Sequence, residues 1–320
     1  MTAQTNAPGI TTALVLPSLN AGPDFVRWLD CLRMQDYRPD RLLLVDSSSD
    51  DDTVTLARDF GFEITTIPRR EFSHGGTRQS CVNRLADVDT IVFLTQDAFL
   101  ASPHALSRLL REFDDPKVGG AYGRQLPRPG AGAIETHARL FNYPDESSVR
   151  TIDDIPRLGM KTSFISNSFA AWRRQALLAI GGFPTHTIQN EDTHAASRMI
   201  LAGWKVAYAA DACVYHSHSL TWRQEFQRYF DIGVFHARDP WIREKFGQAG
   251  GEGLRFVYAE MKYLRQQRPS AIPSAMVRTF LKLLGYKLGN HERRFPRWTK
   301  RLLSANRRFW QSLDAQEPNR

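Results

Sequence analysis

Five short segments of this 320-residue sequence carry polar and titratable residues at spacings that suit chemistry. The first runs from Val45 to Thr53: Asp46, three serines, then Asp50, Asp51 and Asp52. Carboxylates repel phosphate, but they accept hydrogen bonds from a base N–H or a ribose hydroxyl. The same pattern also suits an acidic loop that opens a helix. The second runs from Phe72 to Arg78. Gly75 and Gly76 permit close backbone approach, and Arg78 can pair with a phosphate or a carboxylate. It lacks the length and the lysine of a P-loop. The third is Asp97, directly after an apolar run, where one carboxylate can hold a divalent cation. The fourth is Asn190-Glu191-Asp192, either a general base for a hydroxyl nucleophile or an acidic first helical turn. The fifth is His216-Ser217-His218, whose two rings share one face of an extended segment; both can ligate a metal, or one ligates while the other packs.

These segments fall at the ends of recognisable elements. Apolar runs predict strands at 12–17, 41–45, 63–67, 90–95 and 118–123. Helical spacing predicts helices between them, from Pro23 through Leu32, at 53–60 and 77–86, and from Pro103 onward. Strands alternating with helices of this length indicate βαβ units and a mainly parallel sheet. In such a sheet ligands bind beyond the carboxyl ends of the strands. That places Asn20, Asp46, Asp97 and the 72–78 loop where a site would form. A long connection spans 124–165, with some helix around 133–141. A strand at 166–171, helices at 173–180 and 191–202, and short strands at 205–209 and 213–215 follow. From Trp222 the pattern is helical: 222–236, 240–247, 254–266, 274–288 and 297–312. The expected organisation is an α/β part over residues 1–220 and a helical, basic part over 221–320.

Composition narrows the classes. Hydrophobic residues make up 42% and charged residues 24%, so the chain can bury a core of its own. No apolar run reaches the length of a membrane span, and the first ten residues do not resemble a signal peptide. Three cysteines, Cys31, Cys81 and Cys213, lack metal-type spacing and fit reduced thiols in a cytoplasmic protein. From Arg278 to Arg320 there are eleven Lys/Arg against three Asp/Glu, which equals the whole net charge of +8. The rest is close to neutral. That argues against nucleic acid as partner, since such a binder would also be basic on its folded part. In the tail, Phe295, Trp298, Leu302, Leu303, Phe309 and Trp310 alternate with arginines and lysines. Such a tail either lies on an anionic membrane surface or packs its aromatics on the α/β part.

The order of these segments resembles that of the inverting GT-A glycosyltransferases of family 2, and more narrowly their bacterial rhamnosyltransferase-like branch. Val15-Leu16-Pro17-Ser18-Leu19-Asn20 is similar to the family's opening strand. Leu44 to Thr53 is similar to its VDDGSTDGT, with Ser48 and Asp52 at the two glycine positions. Phe72 to Arg78 resembles the branch's FNHGGTRN, and Phe93 to Ala98 its FLTQDA. Phe164 to Ser168, Gly181 to Pro184, the Glu191-Asp192 pair, the late His216-Ser217-His218 and the Gly285 to Gly289 stretch fit as well.

The resemblance implies a GT-A, Rossmann-like fold and a set of roles. Asp46 would hold the base or ribose of a nucleotide-sugar donor, with Asp51 as a further candidate; Pro17 and Asn20 would bind the donor too. His74, Gly75 and Arg78 would approach the donor, Arg78 at its diphosphate, and Gln96 would touch the donor sugar or a metal-bound water. Asp97 takes the last position of the family's DxD, whose first aspartate is Thr95 here. That departure makes a histidine ligand, His216 or His218, more plausible beside Asp97 for Mg²⁺ or Mn²⁺. Asp192 would be the base that deprotonates the acceptor hydroxyl, with Glu191 orienting the acceptor. The donor implied is dTDP-L-rhamnose. The acceptor implied is a saccharide on polyprenyl diphosphate, reached from the cytoplasmic face of the inner membrane. Another nucleotide-sugar donor, a different metal-assisted enzyme, a basic binding module and an inactive scaffold of the same fold are the competing readings.

Overall fold

A computed structural model describes residues 10–247 and 251–316 of the chain. Nine strands form one sheet: β1 Thr12–Ser18, β2 Arg41–Asp46, β3 Glu63–Thr66, β4 Thr90–Leu94, β5 Phe99–Leu100, β6 Val118–Leu126, β7 Ser148–Arg150, β8 Phe169–Arg173 and β9 Lys205–Tyr215. The order is β3-β2-β1-β4-β8-β6-β9-β5, with β7 also paired to β9. The first half, β3-β2-β1-β4, is parallel as expected. The second half is mixed, because β8 runs antiparallel to both β4 and β6.

β1 and β4 are apolar almost throughout because the sheet is covered on both faces. Alternate residues enter different cores. Ala13, Val15, Ile91 and Phe93 join one cluster. Leu14, Leu16, Val92 and Leu94 join the other, beneath Phe25, Trp28 and Leu106. β1 lies between β2 and β4, so the strand order reverses there and opens a crevice at the carboxyl ends of β1 and β4. Pro17 sits in β1, opposite Val45 of β2.

Several elements differ from expectation for identifiable reasons. The helix expected at 77 starts at His74, since the Ser73 side chain caps the Gly76 N–H at 3.1 Å and the two glycines form the first turn. The two short strands at 205–209 and 213–215 are one strand, β9, with a register shift against β6 between Gly123 and Arg124. The strand expected at 166 begins at Phe169, because Asn167 and Ser168 make side-chain and backbone bonds to the site instead. β5 and β7 were too short to carry a periodic signal.

The helical part does not stand apart. Phe230, Val234, Phe235, Ile242 and Trp310 share a core with Val15, Phe93 and Ile188. Helix Trp222–Arg238 packs in parallel on helix Ile272–Asn290, with their backbones nearly touching. A Cβ on Gly285 would lie 2.5 Å from the Phe226 carbonyl oxygen, and one on Gly289 would lie 2.0 Å from that of Phe230. The helix expected over 297–312 is two, Arg297–Leu303 and Arg307–Gln316. The break is held by Asp231, a buried carboxylate on helix Trp222–Arg238. It accepts bonds from the Ser304 hydroxyl at 2.6 Å, the Ala305 and Asn306 N–H groups at 3.1 Å each, and the Asn306 amide at 2.9 Å. Burial pushes its pKa up to about 6 even though these bonds pull the other way. The tail's aromatic residues divide accordingly. Trp310 is buried, and Phe309 and Leu303 pack against the core, so these three are not a free surface; Trp298 and Leu302 are exposed. No described helix is long and apolar enough to cross a membrane.

Gly289→Ala is expected to lower unfolding free energy by about 1–3 kcal/mol, since its methyl group has only backbone to displace. Gly253→Ala, with open space around it, is expected to be near neutral. Chemical denaturation of the two variants checks the contrast, and equal midpoints would contradict it.

Candidate active site

The loops after β1 and β2 meet at the crevice. Asp46 is buried, and its carboxylate accepts from the Ser49 N–H at 2.8 Å and from the Ser49 hydroxyl. Asn20 and Ser48 adopt left-handed φ of 47° and 63°, which lets the two loops turn back on each other. The Asn20 N–H donates to Ser49 Oγ and its Oδ1 accepts from the Asp50 N–H, both at 2.8 Å. Asp51 accepts from the Gly22 N–H at 3.0 Å and the Thr53 hydroxyl at 2.5 Å. Burial alone would raise its pKa, but these bonds outweigh it and hold the carboxyl below its ordinary value. Across the reversal, the Gln96 amide clamps β1. Its Oε1 accepts from the Ser18 hydroxyl at 3.0 Å and the Leu19 N–H at 2.9 Å, and its Nε2 donates to the Leu19 carbonyl at 3.1 Å. Gln96 therefore ties strand ends together rather than leaving its amide to the ligand.

Beside Gln96, Asp97 faces the two late histidines. Its Oδ2 lies 3.4 Å from His216 Nε2 and 3.6 Å from His218 Nε2, and the three ligand atoms all fall within 4.8 Å of one another. The Thr95 hydroxyl donates to Asp97 Oδ1 at 2.7 Å. Arg128 donates to the Asp97 carbonyl at 2.7 Å. Burial opposes ionisation of Asp97, but the His216 and Thr95 contacts prevail and hold it well below the usual carboxylate range. Burial, with His216 alongside, pushes the His218 pKa down to about 4.

The tautomer of His216 follows from its neighbours. Its Nδ1 is 2.9 Å from Gln125 Oε1, which also receives Arg139 Nη1 at 2.5 Å. A guanidinium only donates, so this atom of Gln125 is the oxygen and cannot donate to the ring. Nδ1 must carry the proton, and in the neutral ring Nε2 directs its lone pair at Asp97. Either a proton on His216 Nε2 or a cation among them lets two imidazole nitrogens and a carboxylate oxygen converge within 4.8 Å. The donor set fits a divalent ion held through oxygen and nitrogen.

The second cluster lies at the start of helix Glu191–Leu201. Arg78, expected at the donor diphosphate, is only 5% exposed and donates instead to Glu191 Oε1 at 2.8 Å and to the His74 carbonyl at 3.2 Å. Glu191 is buried too, and also accepts from the Asn167 amide at 3.1 Å. Burial acts to raise its pKa, but the Arg78 charge prevails and lowers it. Gly75, expected to admit the donor, admits protein: a Cβ there would lie 1.8 Å from the Pro184 carbonyl oxygen. His74 stacks edge-on against Phe72 at 5.2 Å, and burial lowers its pKa. Asp192 accepts from the Asn167 N–H at 3.1 Å and from the Thr193 N–H at 2.7 Å. Burial, reinforced by the Glu191 charge beside it, pushes its pKa up to about 7. A carboxylate so placed can take up a proton near neutral pH.

The two clusters are neighbours. The Thr95 N–H donates to the Ser168 carbonyl at 3.2 Å, and the adjoining Asn167 holds Asp192. The structure thus gathers Asp97, Asp192, Glu191, His216 and His218 around the end of β4, with the Asp46 loop across β1. Three contributors were absent from the expected set, Gln125, Arg128 and Arg139, and Asn167 stood in the Phe164 to Ser168 segment without a role of its own. They belong to the long connection and strand ends, and spacing gives them no signal. Asn167 is itself oriented by the Trp172 indole, which donates to its Oδ1 at 2.8 Å.

Comparison with known proteins agrees with this architecture. The family model described as Glycosyl transferase family 2 matches residues 13–181. The O-antigen chain rhamnosyltransferase RfbN of Salmonella typhimurium is 48% identical over 94% of this chain and 96% of its own length. The O-antigen chain rhamnosyltransferase WbaN of Salmonella anatum is 47% identical over the same shares. Among solved structures, the mannosyltransferase PcManGT from Pyrobaculum calidifontis, in complex with GDP-Man and Mn²⁺, has a TM-score of 0.60 at 18% identity. That match covers 89% of this chain and 88% of that one, and it shows a shared fold. The chain belongs to glycosyl transferase family 2 and is a glycosyltransferase with a GT-A fold.

Proposed function

We propose that this glycosyltransferase moves L-rhamnose from dTDP-L-rhamnose to a hydroxyl of a lipid-linked saccharide during O-antigen synthesis. The observation that carries the reading is near-half identity, over almost the whole of both chains, to two proteins named as O-antigen chain rhamnosyltransferases. Asp97, His216 and His218 would hold Mg²⁺ or Mn²⁺, which supplies Lewis-acid stabilisation of the departing nucleoside diphosphate. Gln125 and Arg139 are positioning residues that keep the His216 lone pair on that side.

Asp192 is the base. Its carboxylate accepts the proton of the acceptor hydroxyl as that oxygen bonds to the anomeric carbon. The bond from that carbon to the diphosphate oxygen breaks on the opposite face, so the centre inverts. Glu191 carries its charge beside Asp192 and raises the affinity of that carboxylate for the proton it must take. Arg78 and Asn167 hold Glu191 in place. Work at the cytoplasmic face of the inner membrane follows from a polyprenyl-diphosphate acceptor.

A thermal-shift screen tests the donor. dTDP-L-rhamnose with Mn²⁺ is expected to raise the melting temperature, and UDP- or GDP-sugars are not. The opposite pattern would leave a glycosyltransferase with another donor. Asp192→Asn is expected to lower kcat by about a hundredfold or more while that donor-induced shift persists; retained turnover would remove Asp192 as base. Because the base works ionised and its pKa is raised, kcat/KM is expected to climb as pH rises through about 7. Glu191→Gln removes the neighbouring charge and should move that limb to lower pH. Gln125→Leu frees the His216 tautomer and is expected to weaken Mn²⁺ binding about tenfold, read by calorimetry without donor.

A further inference from the structure

We infer that the outer face of helix Ile272–Asn290, with the adjoining face of helix Glu252–Gln267, is the surface by which this protein lies on an anionic membrane. The tail aromatics cannot form it alone, since Phe309 and Trp310 pack into the core. The inner face of helix Ile272–Asn290 is spent on helix Trp222–Arg238 through Gly285 and Gly289. Its other face presents Met276, Phe280 and Leu283 in one stripe, at 62%, 62% and 58% exposure. The stripe ends in exposed Lys287. On the neighbouring helix, Leu254 and Tyr258 are 79% and 74% exposed, and Lys262 and Arg265 continue the same face. Apolar residues beside cations, on helices unable to span a bilayer, suit a helix pair lying at the lipid headgroups.

Charge selects the occupant. Residues 261–291 contain six Lys/Arg and no Asp/Glu; Arg278 and Lys282 pair with Glu225, and Lys262, Arg265, Arg268 and Lys287 are exposed. A second copy docking through this face by a two-fold axis would set the same cations opposite each other, with no exposed carboxylate between them. An anionic headgroup layer offers the complementary charge. Position fits as well. The Trp222 indole N–H lies 3.4 Å from Ser274 Oγ, and Trp222 follows His218 by four residues. The beginning of the stripe therefore lies beside the segment that leads out of the metal-ligand cluster, so docking brings the site to the bilayer. The purpose of this surface rests on the lipid-linked acceptor proposed above; its residues do not.

Co-sedimentation of the full chain with vesicles tests it. The chain is expected to partition onto phosphatidylglycerol-containing vesicles and not onto phosphatidylcholine alone. Phe280→Ser with Leu283→Ser, both outward-facing, should weaken partitioning about tenfold or more with unchanged circular dichroism. Lys262→Glu with Lys287→Glu should weaken it as well, and added salt should mimic that loss. Full binding by both pairs would overturn the proposal, as would loss only with Trp298→Ser. A dimer in sedimentation velocity that Phe280→Ser turns into monomer would assign the face to a second copy and overturn it too. The unaltered chain separates this proposal from the functional one. Transfer to a soluble acceptor without vesicle binding defeats the membrane face alone; vesicle binding without transfer of rhamnose from dTDP-L-rhamnose defeats the functional reading alone.

Discussion

A single buried ion pair, Arg78 with Glu191, holds the cluster around Asp192 in register. Arg78 comes from the helix after β3 and Glu191 from the helix before β9, and almost no water reaches either. Breaking such a pair from one side leaves an uncompensated buried charge, at a cost of about 3–5 kcal/mol. Gly75 lets the Arg78 helix approach Pro184 closely enough for the pair to form. Asn167 then links both carboxylates, its amide to Glu191 and its N–H to Asp192. The same pair divides the labour between adjacent acids. The guanidinium stabilises Glu191 as an anion, and that anion, with burial, raises the pKa of Asp192. Two neighbouring carboxyls with opposed shifts are how one site can hold a fixed charge and a titrating base together.

The Asp97, His216 and His218 cluster follows a parallel logic one strand away. Asp97 is set by Thr95 and by the Arg128 contact to its carbonyl, and His216 is set by Gln125. Arg139 fixes the orientation of Gln125, so a guanidinium two contacts away determines which ring nitrogen is free. The Thr95 hydroxyl orients the Asp97 carboxylate toward the two histidines. The Gln96 amide, by closing the ends of β1 and β4, joins this cluster to the loops around Asp46.

The helical layer is fastened by the same means, a buried carboxylate with many donors. Asp231 receives four hydrogen bonds from Ser304 to Asn306 and turns the last helix back onto the core. Glu292, also buried, pairs with Arg238 and with Lys300. Arg278, Lys282 and Lys300 of the tail are thus spent on ion pairs with Glu225 and Glu292, and the exposed apolar stripe lies on helices Glu252–Gln267 and Ile272–Asn290.

The strands of the parallel half, the positions of Asp46 and Asp97 at strand ends, the Glu191-Asp192 helix start and the paired histidines were all legible in the sequence. Each rests on local pattern: apolar runs, helical spacing, a polar residue just past a strand. Tertiary structure alone decided the partners. Arg78 could equally have met a phosphate, because a guanidinium suits either anion; only the packing of two helices distant in sequence delivers it to Glu191. Gly75 signals close approach without saying to what. Gln125, Arg139 and Asn167 owe their roles to contacts across 14 to 91 residues of chain, which no periodicity encodes. Amphipathic spacing likewise cannot tell an aromatic face that meets solvent from one that meets the core, and Asp231 settles that choice for Trp310.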